Sequence, residues 1–145
     1  MKILALTILF ILAFSRVRNT PCALSKTLWK NKMIKRLKNN EEQNGGKPYS
    51  DEMQGAAILF IFLIELFLII FYIVLGNKIG TTEFIIMSAL QVFTCLWNLW
   101  VSIGEFKRAF SYSIEDHKFH HKFQLLFNLI LDYIYYPYAI YMLLK

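Results

Sequence analysis

The sequence predicts an all-α membrane protein, a polytopic helical bundle with three transmembrane helices and a short hydrophobic helix at the N-terminus. Composition is the first reason: 57% of the 145 residues are hydrophobic and only 18% are charged, against about 25% charged residues in globular chains. Length is the second, because a helix of about 18 or more apolar residues can cross a bilayer core of about 30 Å. Three segments reach that length: 56–75, 84–104 and 123–144.

These segments divide one chain into three regions, because the stretches between them are too short to fold alone. We expect an N-terminal hydrophobic helix at 1–17, a basic loop at 18–54 and a three-helix membrane region at 55–145. Within the loop, residues 23–39 mix basic and apolar side chains. That mixture fits a helix on the membrane surface and a solvated connector equally well.

The N-terminal segment allows three interpretations: spanning, cleaved and interfacial. Its charged start, twelve-residue hydrophobic run and small-x-small end are typical of a cleavable signal peptide. Twelve residues are also few for a span. The distribution of charge favours a span with the N-terminus outside, because both basic loops then lie inside. An interfacial helix with its end inside satisfies the same rule, and spanning is our prediction.

Basic residues predict the orientation of the chain. Nine of the sixteen Lys and Arg residues lie in loop 15–54 and four more in loop 105–122. The positive-inside rule places both loops on the cytoplasmic or matrix side and the C-terminus on the opposite side. In that position the loops can attract anionic lipid. The same rule explains the net charge of +6, so we do not expect nucleic-acid binding.

Polar residues recur inside the apolar segments. Nineteen of the twenty residues at 56–75 are apolar, and Glu65 is the exception. Polar or small residues follow spacings of three and four in the next segment, and steps of four in the last, so each set lies on one helical face. The sets are Ser88, Gln91, Cys95, Asn98 and Ser102, and then Gln124, Asn128 and Asp132, which Tyr135 and Tyr136 continue. Such faces are expected to meet inside a bundle. We predict an intramembrane partner or ion site formed by Glu65, Gln91, Asn98, Asn128 and Asp132.

Two of these residues, Glu65 and Asp132, are acids in a layer where the sequence assigns no Lys or Arg. An uncompensated buried charge is strongly disfavoured. We therefore expect the acids to be protonated, to share a proton, to bind a cation or to meet a basic residue of another chain. As protonated groups they would join helices by hydrogen bonds; the other states point to conduction or to a partner subunit.

All three histidines lie in EDHKFHHKF, residues 115–123. His117 and His121 are spaced i, i+4, and with Asp116 they form a weak candidate zinc site. The string also resembles one histidine box of membrane fatty-acid desaturases and hydroxylases. A di-iron site of that kind needs several boxes, and this chain has no other histidine. We therefore expect no cofactor, and we interpret the segment as basic, interfacial and sensitive to pH.

Together these patterns predict a small non-enzymatic membrane protein. Its expected role is that of a subunit, assembly factor or regulator in a larger membrane complex, pairing through its intramembrane polar faces. Other membrane subunits, further copies of the chain and the lipid bilayer are the expected partners. The alternative is a small oligomeric proton or cation transporter, or a holin-like pore, that uses Glu65 and Asp132.

Overall fold

The structure is a computed structural model that describes residues 2–43, 51–109 and 123–145. Five α-helices account for nearly all of this part of the chain. They are α1 (Lys2–Leu24), α2 (Lys26–Gln43), α3 (Asp51–Ile79), α4 (Thr82–Ala109) and α5 (Phe123–Leu144). The predicted all-α membrane bundle is confirmed.

Among the described residues, three helices are long and apolar enough to cross a membrane: Lys2–Leu24, Gly55–Ile79 and Thr82–Gly104. The last two agree with the spans predicted at 56–75 and 84–104. The first is the N-terminal helix, which was predicted to end at residue 17 and continues to Leu24. Helix α5 has the length of a span but falls short in hydropathy, because polar residues and five tyrosines interrupt its apolar run.

The region predicted as a basic loop, 18–54, is helical wherever the structure describes it, apart from Ser25. Helix α2 forms there because Lys26–Gln43 contains no Gly or Pro and is rich in strong helix formers such as Lys, Leu and Glu. Lys32 Nζ donates to Asn19 Oδ1 at 2.5 Å. Thirteen positions of one straight helix would span about 20 Å, so α2 must turn back at Ser25 toward the end of α1.

Helices α3 and α4 form the tightest pair in the bundle, and a short turn joins them. Gly80 ends α3 with a φ of 70°, a left-handed conformation that glycine adopts without the steric cost of a Cβ atom. Above the turn the helices approach closely at Gly76, where an added Cβ would lie 3.0 Å from the Cβ of Ser88. The two helices therefore run antiparallel along their length.

Neighbouring helices in the bundle alternate in direction. Gln91 on α4 contacts Asp132 on α5, and the earlier Ser88 contacts the later Tyr135, so α4 and α5 are antiparallel. Helix α1 packs along α5 and borders α3, with Leu4 beside Lys78 and Arg16 nearer Glu65. The order α1, α3, α4, α5 therefore gives an up-down-up-down bundle. Its two long connections, 25–50 and 110–122, attach at the same end.

The opposite half of the bundle is closed by aromatic packing. Tyr135 stacks on Phe84 with ring centroids 5.1 Å apart and meets the ring of Tyr72 edge-on at 5.3 Å. All three side chains are buried, and Leu9 of α1 is buried in the same cluster. Large apolar side chains elsewhere point outward; Trp100, for example, is 83% exposed. This pattern suits a bundle whose outer surface contacts lipid.

Candidate functional site

Asp132 is held at the centre of the bundle by two neighbours. Its Oδ2 atom lies 2.5 Å from Nε of Arg16 on α1, and its Oδ1 atom accepts a 2.9 Å hydrogen bond from Nε2 of Gln91 on α4. The Asp132 side chain is only 3% exposed, whereas that of Arg16 is 33% exposed. The acid is therefore compensated within its own chain. The expectation that its layer contains no Arg is wrong, because α1 packs along α5 and brings Arg16 against Asp132.

Three amide side chains form a second cluster, about two turns further along α4 and one to two turns further along α5 toward the connections. Asn98 Oδ1 accepts hydrogen bonds from Nε2 of Gln124 and from Nδ2 of Asn128, both at 2.6 Å. Gln124 and Asn128 are buried on α5 and lie one turn apart. Their common acceptor on α4 fixes the register of these two helices.

Gln91 is oriented by a third contact. Thr94 Oγ1 donates to the backbone carbonyl of Gln91 at 2.8 Å and lies 3.4 Å from its Oε1 atom. With the oxygen of the amide facing Thr94, the amide nitrogen faces Asp132. Gln91 and Thr94 are both buried. Side-chain amides usually find partners in membrane interiors, since an unsatisfied polar group is costly there.

Glu65 differs from Asp132 because no cation is paired with it in the described part of the chain. Its Oε2 atom is buried and has no hydrogen-bond partner among the described residues. The thiol of Cys95, on the facing side of α4, lies within hydrogen-bonding reach of the carboxyl group. The position of Glu65 thus combines a buried acceptor with one weak neutral donor.

A polar cavity of about 160 Å³ connects these groups, and we call it the vestibule. Its lining consists of Leu12, Ser15, Arg16, Asn19, Glu65, Leu68, Tyr72, Gln91, Thr94, Cys95, Asn98, Asn128, Asp132 and Tyr136. A water molecule takes about 30 Å³ in the liquid, so the vestibule has room for about five. Because most of its lining is polar, it differs from the dry apolar cavities that a packing defect leaves.

The vestibule is closed on one side and exposed on the other. At the closed end, the hydroxyls of Tyr72 and Tyr136 are hydrogen-bonded at 3.0 Å, and both side chains are buried. At the other end, Ser15 is exposed and Arg16 is partly exposed. Access is therefore from the half of the bundle to which α2 is attached.

All five residues of the predicted site line the vestibule: Glu65, Gln91, Asn98, Asn128 and Asp132. Sequence reasoning missed Tyr72 on α3 and the polar residues of α1, which are the cation Arg16 and its neighbours Ser15 and Asn19. A signal for Arg16 was present, because Ser15, Arg16 and Asn19 fall on one face of any helix that continues past residue 17. Whether the assembled residues bind an ion or a partner remains a prediction.

The weak zinc site lies outside the residues that the structure describes. This holds for Asp116, His117 and His121 alike. Within 2–43, 51–109 and 123–145, no three His, Cys, Asp or Glu side chains come together to hold a metal ion.

No protein family, curated protein or solved structure matches this chain.

Proposed function

We propose that this protein is a non-enzymatic membrane protein that carries protons or small cations, with Glu65 as the binding group. The observation that supports this proposal is the buried, unpartnered Glu65 carboxyl oxygen in a polar vestibule. Intramembrane acids commonly mark proton and ion pathways. The proposal develops the alternative function that the sequence suggested.

The balance of charge in the vestibule supports a positively charged occupant. Arg16 forms an ion pair with Asp132 and its charge also acts on Glu65, but one cation against two carboxylates leaves a net charge of −1 when both acids are ionised. Burying an ion without a partner is strongly disfavoured, so Glu65 requires a proton or a cation when the bundle is in the membrane. A site that needs a cation, and that is open at the end of the bundle where α2 is attached, is suited to binding and releasing one.

The shape of the vestibule favours a carrier over an open pore. The buried pair of Tyr72 and Tyr136 closes one end, and the stacked rings of Phe84 and Tyr135 lie next to it. Release to the other side of the membrane would therefore require the helices to move apart. A holin-like pore would need several copies of the chain to surround a separate channel.

The test compares two Glu→Gln variants reconstituted in liposomes. Glu65→Gln removes the charge in the vestibule, and Glu83→Gln makes the same change at an exposed position in the first turn of α4. Loss of one charge-assisted contact is worth about 1.5–3 kcal/mol, or roughly tenfold to hundredfold in occupancy. We expect proton or cation flux to fall by that factor in Glu65→Gln and to stay near wild type in Glu83→Gln.

Flux that is absent from the wild type, or equal in both variants, would refute the proposal. Circular dichroism and thermal unfolding of both variants serve as the control for folding. Glu65→Asp provides a further check, because it keeps the charge and shortens the side chain by one methylene group.

A subunit, assembly or regulatory role in a larger membrane complex is the second candidate function. The observation that favours it is the small size of the described extramembrane part, which is the single helix α2 of 18 residues. A protein with so little outside the bilayer acts on others mainly through its membrane faces. The pairing of Asp132 with Arg16 removes one reason to expect an outside partner, so this candidate now stands second.

The mass of the native assembly, extracted in mild detergent, tests the second candidate. Unrelated proteins bound in fixed ratio support a subunit role. A single chain or a homo-oligomer refutes it and directs attention to flux.

Orientation and lipid contacts form part of the proposal. Both long connections attach at one end of the bundle, and most basic residues lie in or beside them. We propose that this end faces the cytoplasm or matrix, where anionic lipid attracts the lysines of α2. Binding of the purified protein to vesicles with and without anionic lipid, each at low and high salt, tests the lipid contact.

A further inference from the structure

Three buried oxygen atoms of vestibule residues have no hydrogen-bond partner among the described residues, and one of them, Asp132 Oδ2, is ion-paired with Arg16. The other two are Glu65 Oε2 and Asn128 Oδ1. Asn128 is only 6% exposed, and its amide nitrogen donates to Asn98, so its oxygen is the free end of the amide. An ionised carboxylate and an amide oxygen both accept hydrogen bonds. Buried acceptors normally have donors, so this pair points to a missing donor.

The neighbouring acceptors of the vestibule are already used. Asn98 Oδ1 accepts two amide donors, and the two oxygens of Asp132 face Gln91 and Arg16. An occupant therefore meets two free oxygens, one charged and one neutral. A single occupant with two or more donors would satisfy both oxygens together.

We infer that the vestibule binds a small organic monocation with N–H donors, a primary ammonium or guanidinium compound, whose donors bridge Glu65 and Asn128. The inference rests on the proposed function and names the class of cation. An ammonium group has three donors and one positive charge, which match two acceptors and one uncompensated carboxylate. A cavity of about 150 Å³ can hold benzene, so the 160 Å³ vestibule admits about six non-hydrogen atoms.

Other occupants fit the same atoms less well. Metal cations such as Ca²⁺ and Mg²⁺ take six or more oxygen ligands, and the vestibule offers two that are free. A single water can donate to both oxygens but leaves the charge of Glu65 uncompensated. A proton on Glu65 removes that charge but does not by itself reach Asn128. An organic cation with N–H donors can donate to Glu65 and to Asn128 and also offsets the charge of Glu65.

The test measures uptake of four cations by liposomes containing the full chain: ethylammonium, guanidinium, tetramethylammonium and K⁺. Ethylammonium and tetramethylammonium carry the same charge, but only ethylammonium has N–H donors. We expect uptake of ethylammonium and guanidinium to exceed that of the other two by roughly tenfold or more, the factor for one charged hydrogen bond. Glu65→Gln should abolish this uptake.

Two further variants separate recognition from packing. Asn128 and Gln124 both donate to Asn98 at 2.6 Å, but only Asn128 presents a free buried oxygen. Asn128→Ala should lower ethylammonium uptake about tenfold, whereas Gln124→Ala should keep the preference for ethylammonium over tetramethylammonium. The comparison of cations on the wild-type protein stands even where a variant does not fold.

The outcomes distinguish this inference from the proposed function. Equal uptake of tetramethylammonium and ethylammonium would show recognition of charge alone and overturn the inference. Flux of K⁺ or of protons without uptake of either donor-bearing cation also overturns it, while Glu65-dependent transport still supports the proposed function. Absence of any flux refutes both.

Discussion

The ion pair between Arg16 and Asp132 leads to an unequal prediction for its two members. Arg16→Gln leaves a carboxylate that is 3% exposed without its cation, whereas Asp132→Asn leaves a guanidinium that is 33% exposed and can turn toward solvent. Removing one partner of a buried pair costs about 3–5 kcal/mol, and a solvent-accessible pair is worth about 0–1 kcal/mol. We expect Arg16→Gln to destabilise the bundle by about 3 kcal/mol and Asp132→Asn by about 1 kcal/mol.

The double variant gives the sharper result. With both charges removed, neither member of this pair remains as an unpaired buried ion, so the free energy of unfolding should fall by about 2 kcal/mol, with a coupling energy of about 2 kcal/mol. Asp132→Asn should therefore stabilise the Arg16→Gln background, although it destabilises the wild type. The free energy of unfolding can be measured by titration with a denaturing detergent, followed by tryptophan fluorescence. Additive losses, or equal losses in the two single variants, would refute the pairing.

Three other predictions concern helix contact, metal binding and orientation. Gly76→Ala should lower the free energy of unfolding by about 1–3 kcal/mol, because its new Cβ meets a side chain of α4 at 3.0 Å. Gly55→Ala has open space around it and should be neutral or slightly stabilising. The same unfolding titration measures both variants. Metal content of the purified protein should not change in the double variant His117→Ala and His121→Ala, and a stoichiometric loss of zinc would contradict this. A reporter fused before Met1 should read as non-cytoplasmic, and a cytoplasmic signal would overturn the proposed orientation.

The helices and their polar faces follow from local properties of the sequence. Apolar length predicts α3 and α4, and the spacing of Gln91, Asn98, Asn128 and Asp132 predicts that each helix has one polar face. Such faces must meet in a membrane, since lipid offers them no hydrogen bonds. The polar residues that α4 and α5 contribute to the vestibule could therefore be predicted, as could Glu65, whereas Tyr72 and the polar residues of α1 could not.

The cation could not be predicted in the same way, because Arg16 follows the point where hydropathy falls. A drop in hydropathy at Ser15 to Asn19 has two causes with the same sequence signature: the end of a helix, or a helix that turns its polar face into a bundle. Only the packing of α1 along α5 distinguishes them. Pro21 is also normally a sign of a helix end or kink, but it lies inside α1, which ends at Leu24.

The contact between α1 and α5 also has a consequence for biogenesis. It joins two helices that lie far apart in the chain, since Thr20 and Tyr133 are separated by 113 positions. Translation at about 5–20 residues per second separates the two by roughly 6–20 s. During that interval Arg16 has no Asp132 to meet, and only its long side chain can carry the charge toward the headgroup region. Insertion of the N-terminal helix would then be provisional until α5 leaves the ribosome, and truncation before α5 should leave α1 poorly anchored.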